Sequence, residues 1–175
     1  MKFQTKLIEV RQEHRFDEAA LYDWLRSTIP ELKGQLSIRQ FESGQSNPTF
    51  LVSGDQLNVV LRKKPPGSLL PKAHMVEREY RVMKALASSD VPVPKMYGLS
   101  EDASLIGTPF FAMEYLEGRV LFDATLPSVE PEVRRAHFKE LVRVMAALHQ
   151  VDYRRLGLED YGKAGNYFSR QISRW

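Results

Sequence analysis

The chain has no cysteine, which excludes disulfide staples, thiolate metal sites and cysteine nucleophiles. No apolar run reaches the ~18 residues that a membrane-spanning helix needs. The opening MKFQTKLIEVRQEHRF lacks the apolar core of a secretory signal. Histidine is scarce: His14, His74, His137 and His149 are followed by Arg15, Met75, Phe138 and Gln150, so none opens an H-x-D motif. No glycine-rich turn runs into Gly-Lys-Ser/Thr, and no complete G-x-G-x-x-G is present. Charge of one sign is also missing. The 25 Lys+Arg against 22 Asp+Glu leave +3, too little to point to nucleic acid. Neither a repeat nor a low-complexity tract interrupts the 175 residues. With 43% hydrophobic and 27% charged residues the composition is that of a water-soluble globular protein. The expected setting is a reducing cytoplasm, with neither membrane nor nucleic acid as partner.

What is present reads as mixed structure. Residues 1–15 are charged and aperiodic and read as an arm. Asp17 can cap a helix carrying Leu21, Trp24, Leu25 and Thr28 on one side, stopped by Pro30. Residues 37–42 alternate as a strand, 43–48 form a turn, and 49–53 and 57–63 are two further strands around a Gly54-Asp55 hairpin turn. A loop begins at Pro65-Pro66-Gly67, and a helix covers 73–87. Val91-Pro92-Val93-Pro94 is a stiff connector, and 95–99 and 109–115 read as two more strands. Five strands with one helix inserted after the third is an α+β pattern. Beyond Tyr115 the character changes. Residues 116–119 look like a linker, and 131–150 are helical with Phe138, Leu141, Val142, Met145 and Leu148 on one face. His149 ends that helix as a packing or capping residue. Residues 166–175 start another helix whose Tyr167, Phe168, Ile172 and Trp175 ask for cover, so the boundary looks cut. The expected organisation is an arm and helix at 1–36, a sheet lobe at 37–115, a hinge at 116–119 and the start of a helical lobe at 120–175.

Glu79 is the acid that a plain amphipathic helix would not contain. Val76, Tyr80, Met83 and Leu86 recur at three- and four-residue spacing, and Glu79 lies within their stripe. Glu77 shares its face with His74, Arg81 and Lys84 and is expected to face water. A carboxylate on a buried face is costly unless a cation meets it. Arg62, closing the strand 57–63, is the best candidate. Otherwise Arg62-Lys63-Lys64 is a solvated strand end. Alternation puts Val60 on the Arg62 face, where it offers a flat apolar surface or is simply core. The turn Ser43-Gly44-Gln45-Ser46-Asn47 can aim N–H groups and hydroxyls at a phosphate, although hairpin turns hold such residues for conformational reasons too. The strand ending at Tyr115 can leave main-chain groups free for a purine edge, or be an ordinary edge strand.

In order and spacing, Ser43-Gly44-Gln45-Ser46-Asn47, Val59 to Pro65, Val76-Glu77-Arg78-Glu79, Val91-Pro92-Val93-Pro94, Met113 to Gly118 and Leu148-His149 resemble the amino-terminal half of the aminoglycoside phosphotransferase family, within the protein-kinase-like fold. The resemblance is nearest to the branch whose kinase-like domain stands alone or is fused to acyl-CoA dehydrogenases. It implies a kinase-like N-lobe of five antiparallel strands plus an αC-type helix, followed by the first helices of a truncated C-lobe. It implies ATP and Mg2+ as cofactors. Ser43, Gly44, Gln45, Ser46 and Asn47 would cover phosphates. Arg62 would take the place of the strand lysine as its partner Glu79 takes that of the helix glutamate. Val60 and Met113 would bound the purine pocket, and the main chains of Glu114 and Leu116 would bond the adenine edge. Arginine for lysine is a departure, since a fork replaces a point charge. The aspartate base, its downstream asparagine and the metal-binding aspartate are absent, so the chain holds no catalytic residue or metal ligand and is expected to be inactive alone. The implied activity of the whole is phosphoryl transfer from ATP to a small-molecule hydroxyl. The alternatives are a non-catalytic nucleotide-binding module and an unrelated interaction domain in which Arg62 and Glu79 are a structural ion pair. The implied partners are nucleotide, acceptor, and either the missing C-lobe or a second copy.

Overall fold

A computed structural model describes residues 6–42, 47–67, 73–121, 123–162 and 165–174. The chain begins with a short strand β1 (Leu7–Ile8), a single helical turn (Gln12–His14) and helix α1 (Glu18–Thr28). Strands β2 (Ser37–Phe41), β3 (Thr49–Ser53) and β4 (Asn58–Lys63) follow, then helix α2 (Val76–Leu86) and strand β5 (Met96–Ser100). The one-turn helix α3 (Ala103–Ile106) precedes strand β6 (Phe110–Glu114), and helices α4 (Pro131–His149) and α5 (Tyr167–Ile172) complete the order. The strands form one antiparallel sheet in the order β1-β2-β3-β4-β6-β5. The α+β class is as expected, with two additions. The sheet has six strands rather than five, because part of the expected arm pairs with β2 through Leu7 opposite Phe41 and Ile8 opposite Gln40. Two residues are too few to show an alternation. Helix α3 is likewise too short for a periodic signal.

Local chemistry sets the elements. Asp17 accepts a hydrogen bond from the Ala20 N–H at 3.0 Å and so starts α1. Asp102 caps α3 in the same way through Ser104, and this contact holds its carboxyl below the usual range. Pro131 opens α4, where a missing N–H costs nothing.

The sheet is covered on both faces, unequally. On one face Leu21 and Leu25 of α1 meet Phe50, Val52, Val59, Leu61 and Phe110 in the larger core. Each fully buried side chain of this size contributes roughly 1.5–3 kcal/mol. On the other face α2 rests on Phe111 through Val76 and Tyr80, bordered by Met83, Met96, Leu99 and Met113. Strand alternation decides which residues of β4 go where. Val59 and Leu61 face α1, and Val60 and Arg62 face the α2 side.

The same alternation corrects the reading of the basic run as a solvated strand end. Lys63 shares the face of Val59 and Leu61 and is only 2% exposed. Its Nζ lies 4.8 Å from the centroid of the Phe16 ring and 3.5 Å from the Ile106 carbonyl. Burial lowers its pKa below the ordinary lysine value of 10.5. The unfolded chain therefore holds this proton more tightly, and stability rises as pH climbs through the folded-state pKa and levels off above 10.5. Replacing Lys63 by Met removes the buried charge while keeping the stem. Lys63→Met should stabilise by about 1 kcal/mol at neutral pH, a Tm increase of roughly 2–4 °C. It should also flatten the alkaline rise in stability. Calorimetry from neutral to alkaline pH measures both effects, and an unchanged pH slope would contradict the account.

Candidate functional site

The expected ion pair forms, and it is the centre of a closed ring of hydrogen bonds. Arg62 Nε donates to Glu79 Oε2 at 2.6 Å, and Nη2 reaches Oε1 at 3.5 Å. Arg62 Nη1 donates to Thr49 Oγ1 at 3.0 Å, across the β3–β4 ladder in which Thr49 lies opposite Arg62. Thr49 Oγ1 donates to the Asn47 carbonyl at 3.1 Å. Asn47 Nδ2 closes the ring by donating to Glu79 Oε1 at 2.8 Å. A carboxylate only accepts, so the Asn47 amide must point its nitrogen at Glu79 and its oxygen at His74 Nδ1, 3.1 Å away. That arrangement requires the His74 proton on Nδ1. The Arg62 and Glu79 side chains are 27% and 36% exposed, so the pair borders solvent. Among the described residues its bonds use three of the five guanidinium N–H groups. The other two make no bond to the described residues.

Each residue singled out from the sequence has a place. Val60 sits opposite Met113 in the β4–β6 ladder, and Arg62 lies opposite Phe111. Val60, Met113, Glu114 and Leu116 line one cleft of about 550 Å3, a size at which small molecules bind. The cation is two residues further along the same face of β4, roughly 7 Å away. Leu116 is exposed at the mouth. Glu114 is tied to the residue before β5. Its N–H donates to the Lys95 carbonyl at 2.8 Å, and its Oε2 accepts from the Lys95 N–H at 3.0 Å. Its amide is therefore committed to β5, and its side chain, expected to matter little, ties down the start of that strand. Asn47 is 2% exposed and turns its side chain into the Glu79 network. Ser43, Gly44, Gln45 and Ser46 lie outside the described residues.

Glu77 does not face water. It pairs with Lys64, both side chains are about one-fifth exposed, and Glu77 Oε2 is buried with no hydrogen-bond partner among the described residues. Two consecutive odd positions of α2, Glu77 and Glu79, thus meet two alternate residues of the β4 end. Helical neighbours alone gave the wrong environment, because the cation comes from a strand.

Sequence reasoning missed Thr49, His74, Leu7 and Phe41. Thr49 was legible from hairpin register, as the residue opposite Arg62. Leu7 and Phe41 line the cleft as partners in the β1–β2 ladder. His74 gave no signal, since it owes its position to a left-handed φ of 57° just before α2. Among the described residues no group of three or more His, Asp or Glu could hold a metal ion.

The Arg62–Glu79 pair borders solvent on the strand face of Val60, which lines the cleft. Residues 37–175 match the phosphotransferase enzyme family, APH. The chain belongs to that family. It is 46% identical over 171 residues to acyl-CoA dehydrogenase family member 11 from Gallus gallus, covering 95% of this chain and 22% of that protein. It is 42% identical over 176 residues to the family member 11 protein from Homo sapiens, covering 98% of this chain and 23% of that one. A crystal structure of a protein provisionally assigned as an aminoglycoside phosphotransferase, from Ralstonia eutropha JMP134, is similar with a TM-score of 0.79 and 52% identity. That match covers 92% of this chain and 46% of the solved one. The APH chain thus spans about a fifth of these dehydrogenase-family relatives and about half of the solved phosphotransferase. The kinase-like fold implied by the six motifs is the fold observed.

The ring makes Asn47 a structural member of this APH site. Asn47→Ala removes one donor from Glu79 and leaves His74 without its acceptor. The expected cost is about 1–3 kcal/mol, read from urea unfolding. A variant as stable as the parent would show that the ring does not hold in solution.

Proposed function

We propose that this chain is the nucleotide-gripping part of an ATP-dependent phosphotransferase acting on a small-molecule hydroxyl. The observation that carries the reading is the Arg62–Glu79 pair, set on the same strand face as Val60 and next to the cleft. Val60 and Met113 supply the apolar walls that an adenine ring fills. The Leu116 main chain, at the mouth, offers groups for the purine edge. Glu79 holds the guanidinium in one orientation, which lets its two remaining N–H groups meet a phosphate without reorganisation. Residues 43–47 cover the phosphates in this reading, with Asn47 acting at the base of the loop through Glu79. Bound ATP supplies the transferable phosphoryl group. Residues 37–115 are the nucleotide lobe, 116–119 the hinge, and 120–175 the start of the second lobe. The groups that position an acceptor and hold Mg2+ belong to sequence other than these residues.

The apolar face of α4 supports that assignment. Leu141, Val142 and Met145 are about half exposed, and Phe168 and Ile172 of α5 are exposed beyond three-quarters. In this reading the rest of the helical lobe covers them. The solved relative has more than half of its length beyond the matched part. No described helix is long and apolar enough to cross a membrane, and the missing cysteines fit a reducing cytoplasm.

A second reading is favoured by one observation: the chain contains no H-x-D motif. A module that binds nucleotide without turnover would have the same cleft. Two measurements separate the readings. In the full-length protein, Arg62→Ala and Glu79→Gln should each lower kcat/KM for ATP about 100-fold. Wild-type turnover with both variants unchanged would overturn the assignment of Arg62. Binding of a non-hydrolysable ATP analogue without any turnover would favour the module.

A further inference from the structure

Helix α2 has two flanks, and the ion pair uses only one. On the other flank Arg78 Nη2 donates to the Tyr161 carbonyl at 2.7 Å, and its guanidinium lies 3.9 Å from the Tyr161 ring centroid. One turn on, Arg81 Nη2 donates to the Gly157 carbonyl at 2.7 Å, and Nη1 reaches Asp160 Oδ2 at 3.0 Å. The receiving segment 157–161 is itself fixed. Leu158 is buried and its N–H bonds the Tyr153 carbonyl at 2.9 Å, and the Tyr161 N–H bonds the Leu158 carbonyl at 3.0 Å. This segment lies beyond the linker and beyond α4, some 80 residues from α2 in sequence.

We propose that Arg78 and Arg81 are positioning residues, which seat α2 on the 157–161 segment and thereby set Glu79 on Arg62. An exposed Arg–Asp pair alone would carry little weight. Here two guanidinium groups on successive turns bind main-chain carbonyls, which cannot swing away as a surface carboxylate can. The need for such a seat follows from packing. Helix α2 has 11 residues, too short to be stable by itself. Its apolar footing is the small cluster around Val76, Tyr80 and Phe111, whereas α1 sits on the larger core. Glu79 is the next residue after Arg78, so a slide of α2 by an ångström would break its 2.6 Å bond to Arg62. The seat lies past the linker, so displacement of residues 157–161 is felt at Glu79 through the Arg78 and Arg81 contacts rather than through distance.

The part of this inference that concerns ATP rests on the proposed function; the part that concerns α2 does not, and the test separates them. In the full-length protein, the double variant Arg78→Ala/Arg81→Ala should speed hydrogen exchange in the α2 peptide about tenfold, with α1 unchanged. KM for ATP should rise about fivefold, and the double variant should add nothing further in a Glu79→Gln background. Arg78→Lys/Arg81→Lys, which keeps donors for both carbonyls, should restore most of the loss. If the alanine pair unfolds the chain, so that α1 exchange also rises, the single Arg81→Gln variant is read instead, with faster exchange expected in α2 only. Unchanged α2 exchange, or effects additive with Glu79→Gln, would overturn the proposal. Loosened α2 combined with an Arg62→Ala variant of normal turnover would keep the seat and refute the nucleotide reading. The reverse pair of results would keep the nucleotide reading and refute the seat.

Discussion

A carboxylate at the edge of a core has to be met by donors, and the arrangement around Glu79 follows from that single requirement. Arg62 supplies charge, and Asn47 supplies a neutral donor to the other side of Oε1. Those two cannot be placed independently. Arg62 is on β4, Asn47 is at the foot of the β2–β3 turn, and Glu79 is on α2. Thr49 links the first two through its hydroxyl, bonded to one and donating to the other's carbonyl. Four separate parts of the chain, the β2–β3 turn, β3, β4 and α2, therefore share one hydrogen-bonded ring. Loss of any member strands a polar group in a half-buried place, where an unmade hydrogen bond costs more than a made one contributes.

The unequal faces of the sheet give this ring its working context. The α1 face is held by large apolar side chains that tolerate little displacement. The α2 face has a small apolar footing and a fringe of polar contacts: Lys64 to Glu77, Arg62 to Glu79, and Arg78 and Arg81 to the segment after α4. Polar contacts of this kind are directional and short-ranged, so they define the position of α2 closely while allowing it to be released in one piece. Lys63, buried on the α1 face, takes no part in this fringe.

How much of this was legible depended on the range of the interaction. Glu79 stood out because helical periodicity is local, and Val60 with Arg62 followed from two-residue alternation. The cleft residues Met113 and Leu116 came from the order of the motifs. The failures all involve one element meeting another. Glu77 was assigned to water because its helical neighbours are charged, yet the strand cation Lys64 reaches it. A solvated end is one of two readings open for the basic run Arg62-Lys63-Lys64, yet the strand face of Lys63 is the α1 face. The sequence carries no sign that the Asn47 side-chain amide points back into the protein, toward Glu79. Leu7 and Ile8 were left in an arm, since a two-residue strand is made by its partner and carries no pattern of its own.

The division of labour along the chain also bears on what the grip alone can do. The ring is complete between Asn47 and Glu79, upstream of the linker, so it needs nothing from the helical part to form its bonds. The position of α2 is a different matter, because its outer flank rests on Gly157 and Tyr161. Bond formation is thus local and bond alignment is not. Preorganisation of a charge counts in catalysis only if its orientation is fixed before the reacting group arrives. By that criterion the segment 157–161 bears on the orientation of Glu79 as well as Arg62 does, although its contacts are with Arg78 and Arg81 on the other flank of the helix.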